Sequence, residues 1–447
     1  MDYTQITDDQ VDTMLATIGV ASVDEFFAGV PADKRVAGLL NIPNGISEPE
    51  LMTDLESLAR KNAPCNDTDL VCFLGAGAYD HFSPTVVDYL AMQSEFLTAY
   101  TPYQAEASQG MLQAFYEFQT LICQLTGMQV ANASLYEQAT AATEGVLMAT
   151  AVTKRSRVLV SGAVHPDSLQ VLKTLTYEQP IEVVRIPADD GATDPEAIKK
   201  ELNDATAAVL IQSPNFFGRI ERVADITKMA HSVGALVIQS VDPISCGILK
   251  RPGDCDVDIT VGEGQPLGIP LAYGGPYLGF FACREAYLRK MPGRIVGMTR
   301  DAEGKRGFCL ALQTREQHIK RERATSNICT NQGLLAMRAS VHMAALGKNG
   351  LRKVAELCLD KAHYASDQIG RLDGYDIKFT GPFFREFVVR TNRPVEKVLD
   401  HCRSQGILAG VALGRWFSSL NDCFMVAVTE KRSREQIDAL VDALDSV

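Results

Sequence analysis

Asp242 follows an apolar run, Leu236-Val237-Ile238-Gln239-Ser240-Val241, whose length and flanks suit a buried strand. A carboxylate at the end of such a strand could keep a proton on a heteroaromatic ring nitrogen, the arrangement that makes pyridoxal phosphate an electron sink. That chemistry also needs a lysine a few tens of residues downstream, to form an imine with the cofactor aldehyde. Between Lys250 and Lys290 there is none. The chain reads Val261-Gly262-Glu263-Gly264-Gln265-Pro266-Leu267-Gly268 and then Tyr273-Gly274-Gly275-Pro276, so Gln265 falls in the stretch where a nucleophile is required. Lys250 follows Asp242 too closely, and Lys290 lies beyond the next apolar run.

Three further stretches carry polar groups suited to a ligand. Thr98 to Glu106 packs Tyr100, Pro102, Tyr103 and Gln104 into a turn, where ring faces could exclude water and hydroxyl and amide groups could bind a small polar molecule; a surface turn is the plainer reading. Asn132-Ala133-Ser134-Leu135-Tyr136-Glu137-Gln138 feeds the helical run Ala142 to Ala151, and a small-residue turn at a helix N-terminus is a phosphate cradle. Glu137 puts a negative charge into that cradle, which favours a degenerate site at least as much as a working one. His165-Pro166-Asp167 follows the strand-like Val158 to Val160; His165 could stack on a flat ring, carry a proton, or simply cap the next helix.

The elements that would position these groups alternate. Short β-branched runs at Val158 to Val160, Ile181 to Ile186, Ala207 to Ile211, Leu236 to Ile238, Val257 to Val261 and Tyr277 to Cys283 are separated by helical segments near 167–176, 195–202 and 223–233. This alternation predicts an α/β, doubly wound domain with a parallel sheet covered on both faces. Upstream, Thr7-Asp8-Asp9-Gln10 and Ser47-Glu48-Pro49-Glu50 fit the capping-box pattern. Downstream, a helix from Gln332 to Leu346 precedes strands near 375–380, 386–390 and 424–429, with helices at 395–404 and 434–444. The expected organisation is an N-terminal helical arm (1–62), a large α/β domain (63–330) and a small C-terminal α/β domain (331–447).

Composition narrows the function. At 447 residues, 46% hydrophobic and 22% charged, the chain can build a sizeable core. A formal charge of −12 opposes binding to nucleic acid. No apolar run is long enough to span a bilayer, and no leader is evident, so a cytoplasmic protein with no membrane partner is expected. Eleven cysteines make neither a CxxC pair nor a Cys/His metal spacing, which suits a reducing compartment and no metal.

Motifs across the chain also resemble a known family. Phe73-Leu74-Gly75-Ala76-Gly77-Ala78-Tyr79-Asp80-His81, Thr98 to Gln104, Ser108-Gln109-Gly110, Leu125-Thr126-Gly127-Met128, Asn132 to Tyr136, Asn215 to Gly218, Gly262 to Gly279 and Ala324-Thr325-Ser326-Asn327-Ile328-Cys329-Thr330 are similar to alpha subunits (subunit 1) of glycine dehydrogenase (decarboxylating), the P-protein of the glycine cleavage system. The resemblance implies the pyridoxal-phosphate-dependent transferase-like fold (fold type I). It also implies a homologous beta subunit that carries the lysine and the pyridoxal phosphate, in a heterodimer or a dimer of heterodimers. In that assembly glycine loses CO2, and the aminomethyl group passes to the lipoyl group of the H-protein. On this basis Tyr100, Tyr103, Gln104, His165 and Thr325 are candidates for a cleft shared with the partner, Thr325 reaching towards the partner's cofactor phosphate. Ser134, Tyr136, Asp242 and Gln265 are positions of a degenerate cofactor site on this chain, which by itself would hold no cofactor covalently. Where the family usually shows Asp-Gly after Tyr136, this chain has Glu137-Gln138. Two other readings stay open: a self-sufficient pyridoxal enzyme using Lys250 or Lys290, and a lysine-less pseudoenzyme acting only as a scaffold or regulatory subunit.

Overall fold

A computed structural model describes residues 5–36, 38–64, 70–324, 326–328 and 331–447. The chain divides into two units, Met1–Ala63 and Pro64–Val447.

The first unit contains the helices Asp8–Ile18 and Glu48–Ala59, each opened by the capping box its sequence announces. Thr7 accepts from the Gln10 N–H while the Gln10 side chain accepts from the Thr7 N–H, which satisfies donors that a helix start otherwise leaves unpaired. Neither helix buries a residue.

In the second unit a seven-stranded sheet runs in the order Val130–Ala131, Gly279–Cys283, Ile259–Glu263, Leu236–Val241, Thr206–Gln212, Arg157–Ser161, Glu182–Ile186. The last five in this order are mutually parallel. Gly279–Cys283 turns antiparallel to Ile259–Glu263, and Val130–Ala131 is antiparallel to it in turn, so the sheet is mixed where an all-parallel one was expected. Only 15 residues separate Glu263 from Gly279 and they contain no crossover helix, without which parallel pairing cannot be made. Alternation along the strands loads both faces. Val158, Val160, Leu210, Ile238 and Val261 share one core with the Gln138–Thr153 helix. Leu159, Val209, Ile211 and Val237 face the opposite way, against Ile226 and Ala230 of the Val223–Ser232 helix.

The expected helix end at Leu346 coincides with a break. Helix Gly333–Ile369 has non-helical backbone at Gly347 (φ 59, ψ −177) and then resumes, so a glycine that reads as a stop signal is a kink. Its second half covers a four-stranded antiparallel sheet, Tyr375–Ile377, Glu386–Thr391, Cys423–Ala427 and Val411–Ala412, together with helices Val395–Ser404 and Arg434–Asp445. Phe73, far upstream, is part of this core, because Val71–Cys72 pairs in parallel with Ile407–Leu408. The hairpin Ile295–Arg300 and Arg306–Ala311 was not foreseen; its strands mix charged and apolar residues without clean alternation.

Candidate functional site

A cavity of about 480 Å³ opens at the carboxyl edge of the parallel strands, where open α/β sheets place ligands. Asp242 and Ser240 reach it from the Leu236–Val241 strand, Gln212 from its neighbour, and Glu263 from the next. The opposite wall comes from the C-terminal sheet and the 76–79 loop: Phe384, Arg385, Glu386 and Tyr79. No lysine lines the cavity among the described residues. Lys250 and Lys290 line two other cavities, so neither serves as the nucleophile of this one.

Arg385 is the pivot. It is only 1% exposed; its Nη2 lies 2.5 Å from Asp242 Oδ2, and its guanidinium stands 3.6 Å from the centre of the Tyr79 ring. On the other side it donates to His81 Nε2, which leaves Nδ1 to donate to Glu430 Oε2 at 2.6 Å. Cys358 Sγ also points at Glu430, 3.5 Å away. His81, Cys358 and Glu430 could together offer three metal ligands. Both imidazole nitrogens are already committed, a guanidinium adjoins them, and burial drives the thiol far towards its protonated form, so the cluster is an internal hydrogen-bond chain. Hydrogen bonds from His81 Nδ1 and the Phe82 N–H hold Glu430 down at about 2, against the effect of burial.

Beside Arg385, Glu386 accepts from the Ala76 N–H at 2.8 Å and from the Tyr79 hydroxyl at 2.7 Å. Its full burial outweighs both bonds and pushes the carboxyl up to about 7. Glu263 is likewise pushed up to about 7 by burial, although it accepts from the Leu278, Gln265 and Gln138 N–H groups. Gly218 makes this approach possible: its φ is +81, and a Cβ there would overlap the Glu386 carbonyl oxygen. Gly218→Ala is therefore expected to cost about 3 kcal/mol or more, from backbone strain plus overpacking, and to lower the thermal midpoint without removing any side-chain contact. A melting curve superimposable on wild type would refute this close packing.

The residues singled out from sequence separate into two places. Asp242 and His165 line the cavity. His165 caps the Pro166–Leu175 helix, accepting from the Asp167 N–H at Nδ1 while Nε2 donates to the Ala76 carbonyl at 2.9 Å. Both nitrogens are thus engaged, burial lowers its pKa, and its ring packs edge-on to Phe216. Gln265 is turned inward: its amide accepts from the Tyr79 N–H and donates to the Tyr79 and Ile269 carbonyls. Ser134 is fully buried and receives the Gln332 N–H, which anchors the start of the long helix. Tyr136 is half-buried and is not part of the cavity wall. Tyr100 (83% exposed), Tyr103 (47%) and Gln104 lie on the surface, away from the cavity lining. Tyr103 accepts from Arg294 Nη2 at 2.9 Å. Thr325 lies outside the described residues. Sequence reasoning gave no role to Tyr79, Arg385 or Glu386. The available signal was the charged pair Arg385-Glu386 set between Phe384 and Phe387-Val388-Val389, since charges inside an apolar strand are seldom left without a task.

A family model described as "Glycine cleavage system P-protein" matches residues 1–444. The chain belongs to the P-protein family. Among curated P-protein relatives, "Probable glycine dehydrogenase (decarboxylating) subunit 1" of Desulfitobacterium hafniense is 49% identical over 447 residues, with 100% of each chain covered. The protein of the same name from Anoxybacillus flavithermus is 49% identical over 99% of this chain and 98% of its own. A solved structure titled as glycine decarboxylase (P-protein) of the glycine cleavage system, in inhibitor-bound form, superimposes with a TM-score of 0.91 at 39% identity, and both chains are covered completely. The sphingosine-1-phosphate lyase of Burkholderia pseudomallei (TM-score 0.66, 14% identity, covering 93% of this chain and 94% of its own) shares the fold alone. The fold is type I of the pyridoxal-phosphate-dependent enzymes, and pyridoxal phosphate is a cofactor of the system to which P-proteins belong. The residues of this chain's own cavity do not fit that cofactor: among the described residues no lysine faces the cavity, Asp242 is paired with Arg385, and Glu137 fills the helix N-terminus where a phosphate would rest.

Proposed function

We propose that this chain is the subunit of glycine dehydrogenase (decarboxylating) that carries no cofactor. A homologous beta subunit would hold pyridoxal phosphate, CO2 would leave glycine, and the aminomethyl group would pass to the lipoyl group of the H-protein. The observation that carries the reading is a cavity at the type I position that has, among the described residues, neither a lysine nor a vacant cofactor anchor, in a chain that matches subunit 1 proteins over its whole length.

A surface suited to a partner is present. Helix Thr85–Ala91 buries Val87 and Ala91, yet its other side exposes Val86 and Tyr89; Phe82, Met92, Leu97 and Tyr100 nearby in the chain are exposed as well. A helix apolar on both sides belongs in an interface. We assign Tyr100, Tyr103, Gln104 and Thr325 to the cleft shared with the beta subunit, with Tyr103 steadied by Arg294. Among the described residues no helix is long and apolar enough to cross a membrane. The nine described cysteines form no disulfide with one another, and so many thiols suit the reducing cytoplasm, where we place the chain.

Purified alone, the chain is expected to show no glycine-dependent exchange of labelled CO2; co-expressed with its beta partner, it should form a heteromer that does. Activity of the isolated chain would overturn the assignment. In the reconstituted enzyme Tyr100→Phe with Tyr103→Phe should raise the KM for glycine or lower kcat, whereas unchanged values for both would reduce this chain to a scaffold.

A further inference from the structure

The lack of a lysine forbids an imine, but it does not by itself keep pyridoxal phosphate out, because phosphate and ring contacts can hold that molecule without a covalent bond. The two anchors that would do so are engaged from within. The Gln138–Thr153 helix points its first N–H groups and the positive end of its dipole towards the cavity. The Glu137 carboxylate folds over them, accepting from the Ala139 N–H at 2.5 Å, from the Thr140 N–H at 2.9 Å and from the Thr140 hydroxyl. These are contacts of the kind a bound phosphate makes at such a helix start. Also on the cavity wall, Asp242 lies 2.5 Å from Arg385, a flat delocalised cation stacked at 3.6 Å on Tyr79. That guanidinium gives Asp242 the positively charged N–H partner that a protonated ring nitrogen would otherwise supply.

We propose that Glu137 and Arg385 are built-in substitutes for the phosphate and the protonated ring nitrogen of the cofactor, and that they close this cavity to pyridoxal phosphate and to phosphate esters generally. Cofactor loading is then confined to the partner subunit, at one per heterodimer. Gln265, folded back on Tyr79 and Ile269, turns its own amide away from the place where the nucleophile would stand. This rests on the assignment of the chain as a cofactor-free subunit and deepens it, by naming the two groups that keep the cofactor out even without a covalent bond.

The single tryptophan is a ready probe, because Trp416 lies 6.5 Å from His165, a residue of the cavity wall. Titrating the full-length chain with pyridoxal 5′-phosphate should give no saturable quenching of its fluorescence, and calorimetry with inorganic phosphate should give no heat of binding. Glu137→Ala, which uncovers the helix N–H groups, should bind both saturably, with a Kd about 10- to 100-fold below the limit that the wild-type titration sets, the gain expected from recovering one or two charge-assisted hydrogen bonds. Glu137→Gln, which keeps the shape of the cap and drops its charge, should give a smaller gain and provides the reading if the alanine chain melts early. Saturable quenching of the wild-type chain would overturn the proposal, as would folded variants that bind no tighter than wild type. Either result leaves the partner-dependent CO2 exchange to be judged separately.

Discussion

Arg385→Met is expected to cost about 3–5 kcal/mol of folding stability, the cost of stripping a counterion from a buried charge. The side chain of Asp242 is 12% exposed and that of Arg385 2% exposed, so solvent does little to replace the lost partner. Methionine fills much of the same volume, which confines the penalty to the stranded Asp242 carboxylate and to the His81–Glu430 pair that also loses a donor. Adding Asp242→Asn removes the stranded charge. The double variant should then be more stable than the sum of the two single losses by roughly 1–3 kcal/mol, as expected for residues in direct contact. Urea unfolding of the three variants at constant slope reads the coupling directly. Strict additivity would mean that Arg385 and Asp242 do not depend on each other, and that their ion pair does not hold the cavity wall.

The second large effect is on pH. Glu386 is held near 7 in the folded chain, against an ordinary value of 4.5. Between those values the folded chain keeps a proton that the unfolded chain has released, so stability falls as pH rises through this window and levels off above about pH 7. Its contribution is on the order of 3 kcal/mol, since each tenfold change in proton affinity is worth about 1.4 kcal/mol. Glu263, also near 7, slopes the same way. Glu430, held at about 2, slopes the other way and makes the chain lose stability as pH falls below 4.5. Wild type should therefore be most stable in mild acid and weaker at about pH 8 than at about pH 5, while Glu386→Gln should flatten much of that decline. Unfolding midpoints that rise from about pH 5 to about pH 8 in wild type would contradict the sign.

The parallel core was legible because buried parallel strands read as continuous apolar runs and the helices between them show a different period. Leu236–Val241 and Thr206–Gln212 are buried almost throughout, as their sequences announce. The antiparallel strand Gly279–Cys283 looks no different in sequence, because strand direction depends on the length and content of the connection. Within the site, Asp242 could be placed because it ends a recognisable strand. Arg385 and Glu386 could not, because their meaning arises only when the C-terminal sheet is laid against the 76–79 loop, a long-range contact with no local periodicity. Glu137 was visible as a charge in the wrong place; its seat on the Ala139 and Thr140 N–H groups needed coordinates.

The pairing of Val71–Cys72 with Ile407–Leu408 bears on how the molecule is made. Phe73 donates to the Leu408 carbonyl and accepts from the Ala427 N–H, so the segment leading into Tyr79 has no berth until the last strands of the chain exist. On a ribosome adding about 5–20 residues per second, that segment waits for roughly 20–70 seconds after it emerges. During this interval the parallel core can assemble while one wall of the cavity is still missing. Seating Tyr79 on Arg385 then becomes one of the closing events of biogenesis, and a chain cut short before Ala427 is left with an open sheet edge and an uncovered cavity mouth.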